Sequence, residues 1–280
     1  MKNKKVWFVT GASKGLGLSL VKQLLTSGYD VVATSRNSQD LLEAVGDLAT
    51  TSFLPLNMDL HSEASVEAAI AKAVDYFGRI DIVVNNAGYG LTGSLEELTD
   101  AEARSNFDIN IFGMLHVIRH VMPHLRQQKS GHIFNIASIG GFTGNFPGFG
   151  IYCATKFAVQ GLTESLAAEI SDFNIYATVV YPGYFRTNFL SGDSLQTPTQ
   201  PIQAYTAVRK SQEVHENDIN GNQPGDPDKA AKALIEVAES EQPPVHLFLG
   251  QDAYDLANLK IVTIEKDLET WKDITISTGF

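Results

Sequence analysis

The chain is poor in the residues that cross-link a protein or anchor it to a surface. Cys153 is the single cysteine in 280 residues, which excludes a disulfide within the chain and a cysteine-based zinc site and fits a reducing compartment. Long apolar runs are missing as well. None approaches the ~18 residues that a bilayer span requires, and the run Val6–Val9 behind the basic start is far shorter than the core of a signal peptide. Positive charge is scarce: 21 Lys and Arg stand against 32 Asp and Glu, a formal net charge of −11. That sign repels nucleic acid and anionic membrane alike, so any anionic ligand must be held by local groups against the global field. A cytoplasmic protein with neither nucleic-acid nor membrane partners is the expectation. With 44% hydrophobic and 19% charged residues, the composition supports a sizeable core and argues against disorder.

Short apolar, β-branched runs alternate with longer amphipathic stretches, the pattern of strands joined by crossover helices. Val6–Val9, Val31–Thr34, Ile82–Val84, His132–Ile136, Ala177–Tyr181 and Val245–Leu249 read as strands. Helices are expected over about Gly15–Ser27, Ser62–Phe77, Asp100–Arg126 and Tyr152–Ile170. Strands apolar on both faces belong in a parallel sheet covered on each side. The predicted fold is therefore α/β, a doubly wound, mostly parallel sheet of the Rossmann type in one domain spanning residues 1–280. Two segments break the alternation. Residues 184–227 are rich in Pro, Gln, Asn and Asp and read as a substrate lid or a tolerated surface insertion. Residues 251–280 read as a C-terminal helical extension with Ile261, Ile264, Leu268 and Trp271 at helical spacing. That stripe is expected to pack on the body; the alternatives are a wall of the substrate pocket or contact with a second subunit.

The first strand runs into Thr10-Gly11-Ala12-Ser13-Lys14-Gly15-Leu16-Gly17 and then a helix. Glycines at the entry to a helix let a pyrophosphate approach backbone N–H groups at the positive end of the dipole, so this turn is a phosphate cradle. Its G-x-x-x-G-x-G spacing is a variant of the commoner dinucleotide fingerprint and lacks the Gly-Lys-Ser/Thr of a P-loop. The second strand ends in Ser35-Arg36 with no carboxylate directly after it. Arg36, helped by Lys14, suits the 2′-phosphate of NADP rather than the free ribose hydroxyls of NAD. Asp59-Leu60 and Asn85-Asn86-Ala87-Gly88 follow later strands at their carboxyl ends, where open α/β sheets bind ligands. Asp59 reads either as an acceptor for the adenine amine or as a helix cap, and the Asn85–Gly88 turn either lines the cofactor or braces the sheet.

Ser138 lies just past the His132–Ile136 strand, and Tyr152 and Lys156 share one helix face at i and i+4. An ammonium beside a phenol favours the phenolate and lowers its pKa, which fits Tyr152 to exchange a proton with a carbonyl oxygen. Ser138 would hold that oxygen. His116, His120 and His124 recur every four residues, but no Glu-x-x-His pattern supports a metal and Pro123 interrupts the turn, so no metal site is expected. Cys153 reads as a packed free thiol.

In order and spacing these motifs resemble the short-chain dehydrogenase/reductase family across residues 5–190 or so. The resemblance rests on Thr10–Gly17, Asp59, Asn85-Asn86-Ala87-Gly88, Asn110, Ser138, Tyr152-x-x-x-Lys156, and Pro182-Gly183 with Thr187. It implies a catalytic tetrad of Asn110, Ser138, Tyr152 and Lys156, with Asn110 holding a water that links Lys156 to solvent. Cofactor contacts are implied for Gly11, Ser13, Lys14, Gly15, Leu16, Gly17, Ser35, Arg36, Asp59, Leu60, Asn86, Ala87, Gly88, Tyr152, Lys156, Pro182, Gly183 and Thr187. The implied activity is NADP(H)-dependent hydride transfer between nicotinamide and a carbonyl or alcohol substrate, in a homodimer or homotetramer packed through the helices around Asn110 and Tyr152. The alternative is a non-catalytic dinucleotide sensor or scaffold on the same fold. A sugar-nucleotide epimerase would need a larger C-terminal domain and a different glycine spacing.

Overall fold

The computed structural model describes residues 4–192 and 194–280. The six expected strands form, as β1 (Val6–Thr10), β2 (Asp30–Ser35), β4 (Ile82–Asn85), β6 (Gly131–Ile136), β7 (Ile175–Pro182) and β9 (His246–Leu249), and β3 (Phe53–Asn57) is a further one. They lie in one parallel sheet of order β3-β2-β1-β4-β6-β7-β9. Successive residues of a strand point to opposite faces, and β1 shows both faces filled. Trp7 and Val9 pack with Leu20 and Leu24 of α1 (Gly15–Thr26) and Leu234 of α8 (Pro227–Ala238). Val6 and Phe8 pack with Val66 and Ile70 of α3 (Glu63–Phe77) and Val117 and Val121 of α5 (Met114–Gln128) on the other side. The chain therefore forms a single doubly wound Rossmann-type domain. Its strand order reverses between β1 and β4, which opens a crevice at their carboxyl ends.

Four local differences from the sequence pattern bear on the site. The helix expected over Asp100–Arg126 is divided: α4 (Asp100–Phe107) is joined to α5 by a π-turn at Asp108–Gly113 that contains Asn110. Pro123 does not interrupt α5, which runs through it to Gln128. The helix expected from Tyr152 begins at Gly150 and runs to Glu169 as α6. Residues 184–227 are not one loop. They hold a two-residue strand β8 (Leu195–Gln196) paired in parallel with β5 (Gly90–Leu91), then α7 (Thr206–Glu213) running into a second π-turn, Val214–Ile219.

The C-terminal tail corrects a further expectation. It is helical, as α9 (Gln251–Thr270) and α10 (Lys272–Ile276), but it meets the body only near its start, through buried Ala253 and Ala257. Ile261, Ile264, Leu268 and Trp271 are exposed, Trp271 to 58%, so the stripe neither packs on the body nor walls the cavity. The straight helix simply carries those residues beyond the reach of the sheet.

Candidate active site

One cavity of about 550 Å3 runs from the glycine turn after β1 to Tyr152 on α6. Its cofactor side is built by backbone. Gly11 takes φ +62°, a left-handed conformation that side chains disfavour, and a Cβ there would lie 2.7 Å from Ala87 Cα. The turn therefore rests directly on the chain after β4. Thr10 Oγ1 accepts from the N–H groups of Asn86 and Ala87, each at 3.0 Å, and Asn86 Nδ2 donates to the Thr10 and Gly11 carbonyls, also at 3.0 Å. Asn86 is thus a brace that also lines the cavity together with Ala87 and Gly88. Asn85 braces too, donating to Asn135 Oδ1 at 2.8 Å.

Gly11, Ser13, Lys14, Gly15 and Leu16 face the cavity. Gly17 does not: it packs behind the turn, where a Cβ would come within 2.5 Å of Asn86 Nδ2. Lys14 occupies the N-cap of α1, no side chain caps the helix, and no acidic residue lies in its first turn. Its free N–H groups and positive dipole end therefore remain available to an anion. Ser35, Arg36, Asp59 and Leu60 form the rim at the ends of β2 and β3. Ser62, not Asp59, caps α3; Asp59 Oδ1 accepts from the His61 N–H at 3.0 Å in a tight turn.

At the other end the reacting groups gather. Tyr152 and Lys156 are buried on the cavity face of α6, with the Lys156 Nζ 5.8 Å from the Tyr152 ring centre. Lys156 Nζ donates to the Ile136 carbonyl at 2.9 Å. Ser138 Oγ accepts from the Gly140 N–H at 3.1 Å, which leaves its own hydroxyl hydrogen to be donated elsewhere. Asn110 sits one layer back. Its Oδ1 accepts from the Tyr89 N–H, and its Nδ2 donates to the Tyr89 carbonyl and to Thr155 Oγ1, all at 3.1 Å. A Cβ on Gly88 would come within 2.8 Å of Asn110 Oδ1 and 3.5 Å of Lys156 Nζ, so these two side chains flank the same glycine. The π-turn shifts the register of the helix and aims Asn110 inward.

The electrostatics differ from the expectation for Tyr152. Burial pushes its phenol above the ordinary value, and the hydrogen bond with Ser138 only partly opposes this. Lys156 is itself buried, and the same desolvation draws it down to about 8. Burial thus favours the phenol over the phenolate and makes Tyr152 a weaker acid than a free tyrosine. Burial also raises the Cys153 thiol to about 11, as befits a packed cysteine. The three histidines of α5 do not converge. His116 Nδ1 bonds the Leu60 carbonyl at 3.1 Å, His120 meets Glu63 at 3.2 Å, and no cluster with metal-holding composition occurs among the described residues.

Pro182, Gly183 and Thr187 line the cavity after β7. Sequence reasoning missed what shapes this wall. Asp252, from the first turn of α9, accepts from the Tyr184 N–H at 2.6 Å and lies against Gly183, where a Cβ would meet it at 2.2 Å. Phe149, Phe189 and Leu190 give an apolar surface beside Tyr152, and Tyr184 and His215 lie beyond it. A proline next to glycine signals a turn, but nothing local signals that residues 32 or more positions later close on it.

Comparison with known proteins agrees with this architecture. The sequence pattern of the short chain dehydrogenase family matches residues 5–197. A curated relative, Oxidoreductase BOA17 of Botryotinia fuckeliana, is 34% identical over 98% of this chain and 99% of its own. The crystal structure of a short-chain dehydrogenase from Streptomyces avermitilis superposes with a TM-score of 0.89 at 31% identity, over 100% of both chains. Two further crystal structures, each 25% identical and covering 88% of this chain and 96% of theirs, carry cofactors. A 3-ketoacyl-(acyl-carrier-protein) reductase from Brucella melitensis holds NADH, with a TM-score of 0.74. An alcohol dehydrogenase from the archaeon Thermococcus sibiricus holds 5-hydroxy-NADP, with a TM-score of 0.72.

Proposed function

The chain belongs to the short-chain dehydrogenase/reductase family of oxidoreductases, and on that premise we propose that it is an NADP(H)-dependent reductase of aldehydes or ketones, working in reverse as an alcohol dehydrogenase. The single observation that carries this reading is the continuity of the cavity, which joins an uncapped helix N-terminus at Lys14–Leu16 to Ser138, Tyr152 and Lys156. Its wall also contains two buried polar atoms without a protein partner, Thr34 Oγ1 and Gln223 Oε1. These features fit a nicotinamide dinucleotide. Gly11, Ser13, Lys14, Gly15 and Leu16 would hold its pyrophosphate, Asp59 and Leu60 its adenine, and Ala87, Gly88, Pro182, Gly183 and Thr187 the nicotinamide half. Asn86 would line the same site while bracing the turn, and Gly17 would act behind it by keeping the turn in shape.

When bound, the dinucleotide supplies or accepts the hydride. The protein does the rest. Ser138 donates a hydrogen bond to the substrate oxygen and places it beside Tyr152. Tyr152, kept protonated by burial, gives its phenolic proton to that oxygen as negative charge develops on it. Lys156 stabilises the phenolate left behind, and Asn110 orders the route by which a proton returns. The apolar surface of Phe149, Phe189 and Leu190 excludes water from the reacting carbon.

Arg36 supports NADP over NAD, since an exposed guanidinium at the rim matches a 2′-phosphate. Residues 184–227 act as the substrate lid. Exposed Phe112 and Phe157, on the elements that carry Asn110 and Lys156, together with the bare stripe of α9, support a homodimer or homotetramer in the cytoplasm. No described helix is long and apolar enough to cross a membrane. Light scattering checks the assembly. The activity is tested by following NADPH consumption across a panel of aldehydes and ketones. Turnover lost in Tyr152→Phe with NADPH binding retained is the expected result. Tight NADPH binding with no turnover of any carbonyl or alcohol would instead favour a dinucleotide sensor.

A further inference from the structure

Beyond the Phe149 ring that adjoins Tyr152, the cavity wall carries a polar pair that the proton-transfer chemistry does not use. His215, on the π-turn after α7, is 7% exposed, and its ring lies 4.7 Å from that of Phe149, the neighbour of Tyr152. Its Nδ1 is 2.7 Å from the Ser211 carbonyl, which can only accept, so Nδ1 carries the hydrogen. In the neutral ring Nε2 is then an acceptor, and the Tyr184 Oη at 2.9 Å must donate to it. That contact fixes the direction of the Tyr184 hydroxyl. Its hydrogen is committed to His215, and its oxygen lone pairs have no donor among the described residues although the side chain lines the cavity. The lid has fastenings of its own elsewhere: Gln212 donates to Thr92 Oγ1 at 2.9 Å and Arg209 pairs with Glu97.

We propose that Tyr184, oriented by His215, is a specificity-determining residue that accepts a hydrogen bond from a substrate hydroxyl. The preferred substrates are then apolar aldehydes or ketones that carry a free hydroxyl away from the reacting carbon. The apolar part follows from Phe149, Phe189 and Leu190, and the hydroxyl from the acceptor, since a bound carbonyl or ether in its place would leave two acceptors facing each other. His215 is a positioning residue that acts through Tyr184. The inference rests on the carbonyl-reductase reading of the same cavity and is tested by two separate readouts.

The probes are α-tetralone, its ring-hydroxylated isomers and the matching methyl ethers. Dissociation constants are measured on NADP-loaded protein and kcat/KM is measured with NADPH. At least one hydroxylated isomer is expected to exceed both α-tetralone and its own ether in affinity and in kcat/KM, by roughly 10- to 100-fold. Tyr184→Phe is expected to collapse that ratio. His215→Phe, which keeps the ring against Phe149, should collapse it too and narrow the gap to the ether, because the Tyr184 hydroxyl then becomes free to donate. A ratio unchanged in Tyr184→Phe, or no preference in the wild type by either readout, overturns the proposal. A ratio intact in His215→Phe overturns the positioning role. A binding preference without turnover of any probe leaves the anchor standing and overturns the reductase reading.

Discussion

The two ends of the cavity are made in different ways. The cofactor end is backbone held against backbone: the Gly11–Leu16 turn, the N-terminus of α1 and the Ala87–Gly88 turn, kept in place by Thr10 and Asn86. The substrate end is side chain against side chain, drawn from α6, the segment after β7, the π-turn at Val214–Ile219 and the start of α9. A backbone cradle depends on the absence of side chains and tolerates no change at its glycines. A side-chain wall tolerates substitution and changes what it recognises. The fold therefore keeps one ligand constant while leaving the other free to vary.

The sharpest way to break this contrast is to act where the two ends meet. Tyr152→Phe is expected to lower kcat by roughly 100- to 10,000-fold, the usual range for a lost general acid, while NADPH affinity measured by fluorescence stays near wild type. Next in size is Gly11→Ala. A Cβ 2.7 Å from Ala87 Cα, on a residue held at positive φ, should cost several kcal/mol in urea unfolding, roughly the sum of strain and overpacking, and remove NADPH binding altogether. Both effects should exceed those of any single aromatic replacement in the substrate wall. Arg36→Asp sharpens the cofactor end: kcat/KM with NADPH should fall roughly 10- to 100-fold and that with NADH should rise, as expected for loss of a charge-assisted phosphate contact. Unchanged preference would show that the rim does not read the phosphate.

Two smaller effects depend on pH. Lys156 is held at about 8, below its ordinary 10.5. Between those values the unfolded chain binds the proton that the folded chain has released, so stability should rise as pH increases from about 8 to 10.5. Lys156→Met should flatten that rise in a thermal-melt series. At the lid, Glu102 accepts from Thr199 Oγ1 at 2.6 Å and the Thr199 N–H at 3.0 Å, and with the Thr99 N–H and Oγ1, which it also accepts from at 2.8 and 2.7 Å, these contacts hold its carboxyl at about 2. The contribution is present above the ordinary carboxylate pKa of 4.5 and is lost as pH falls toward about 2. Because the group is partly solvated, its size should be only about 1 kcal/mol. Glu102→Gln should remove the pH dependence and speed proteolysis within residues 197–205 before it affects cofactor binding.

How far the sequence could be read follows the same division. The glycine turn, Ser35-Arg36 and the Tyr152/Lys156 pair were legible because each depends on neighbours within one turn or one strand end. Asn110 was legible only through family resemblance. Its setting is a π-turn, which interrupts no hydrophobic pattern and so leaves no periodic trace. Helix spacing reports that Lys156 is near Tyr152 but not that both are buried, and it is burial that raises the Tyr152 phenol and lowers Lys156. Nothing in the local sequence around Asp252 or His215 points to a role. Their meaning comes from Tyr184, which lies 68 and 31 positions away.

By itself, the sequence determined the parallel sheet, the glycine turn after its first strand and the helix face that carries Tyr152 and Lys156. Those features arise from periodicity and from residues a few positions apart, and local chemistry suffices to specify them. Tertiary structure alone decided the burial that raises the Tyr152 phenol, the direction of the Tyr184 hydroxyl and the exposure of the α9 stripe. Desolvation, hydrogen-bond direction and unpaired surface are properties of what surrounds a residue, and the surroundings are set only when distant parts of the chain meet.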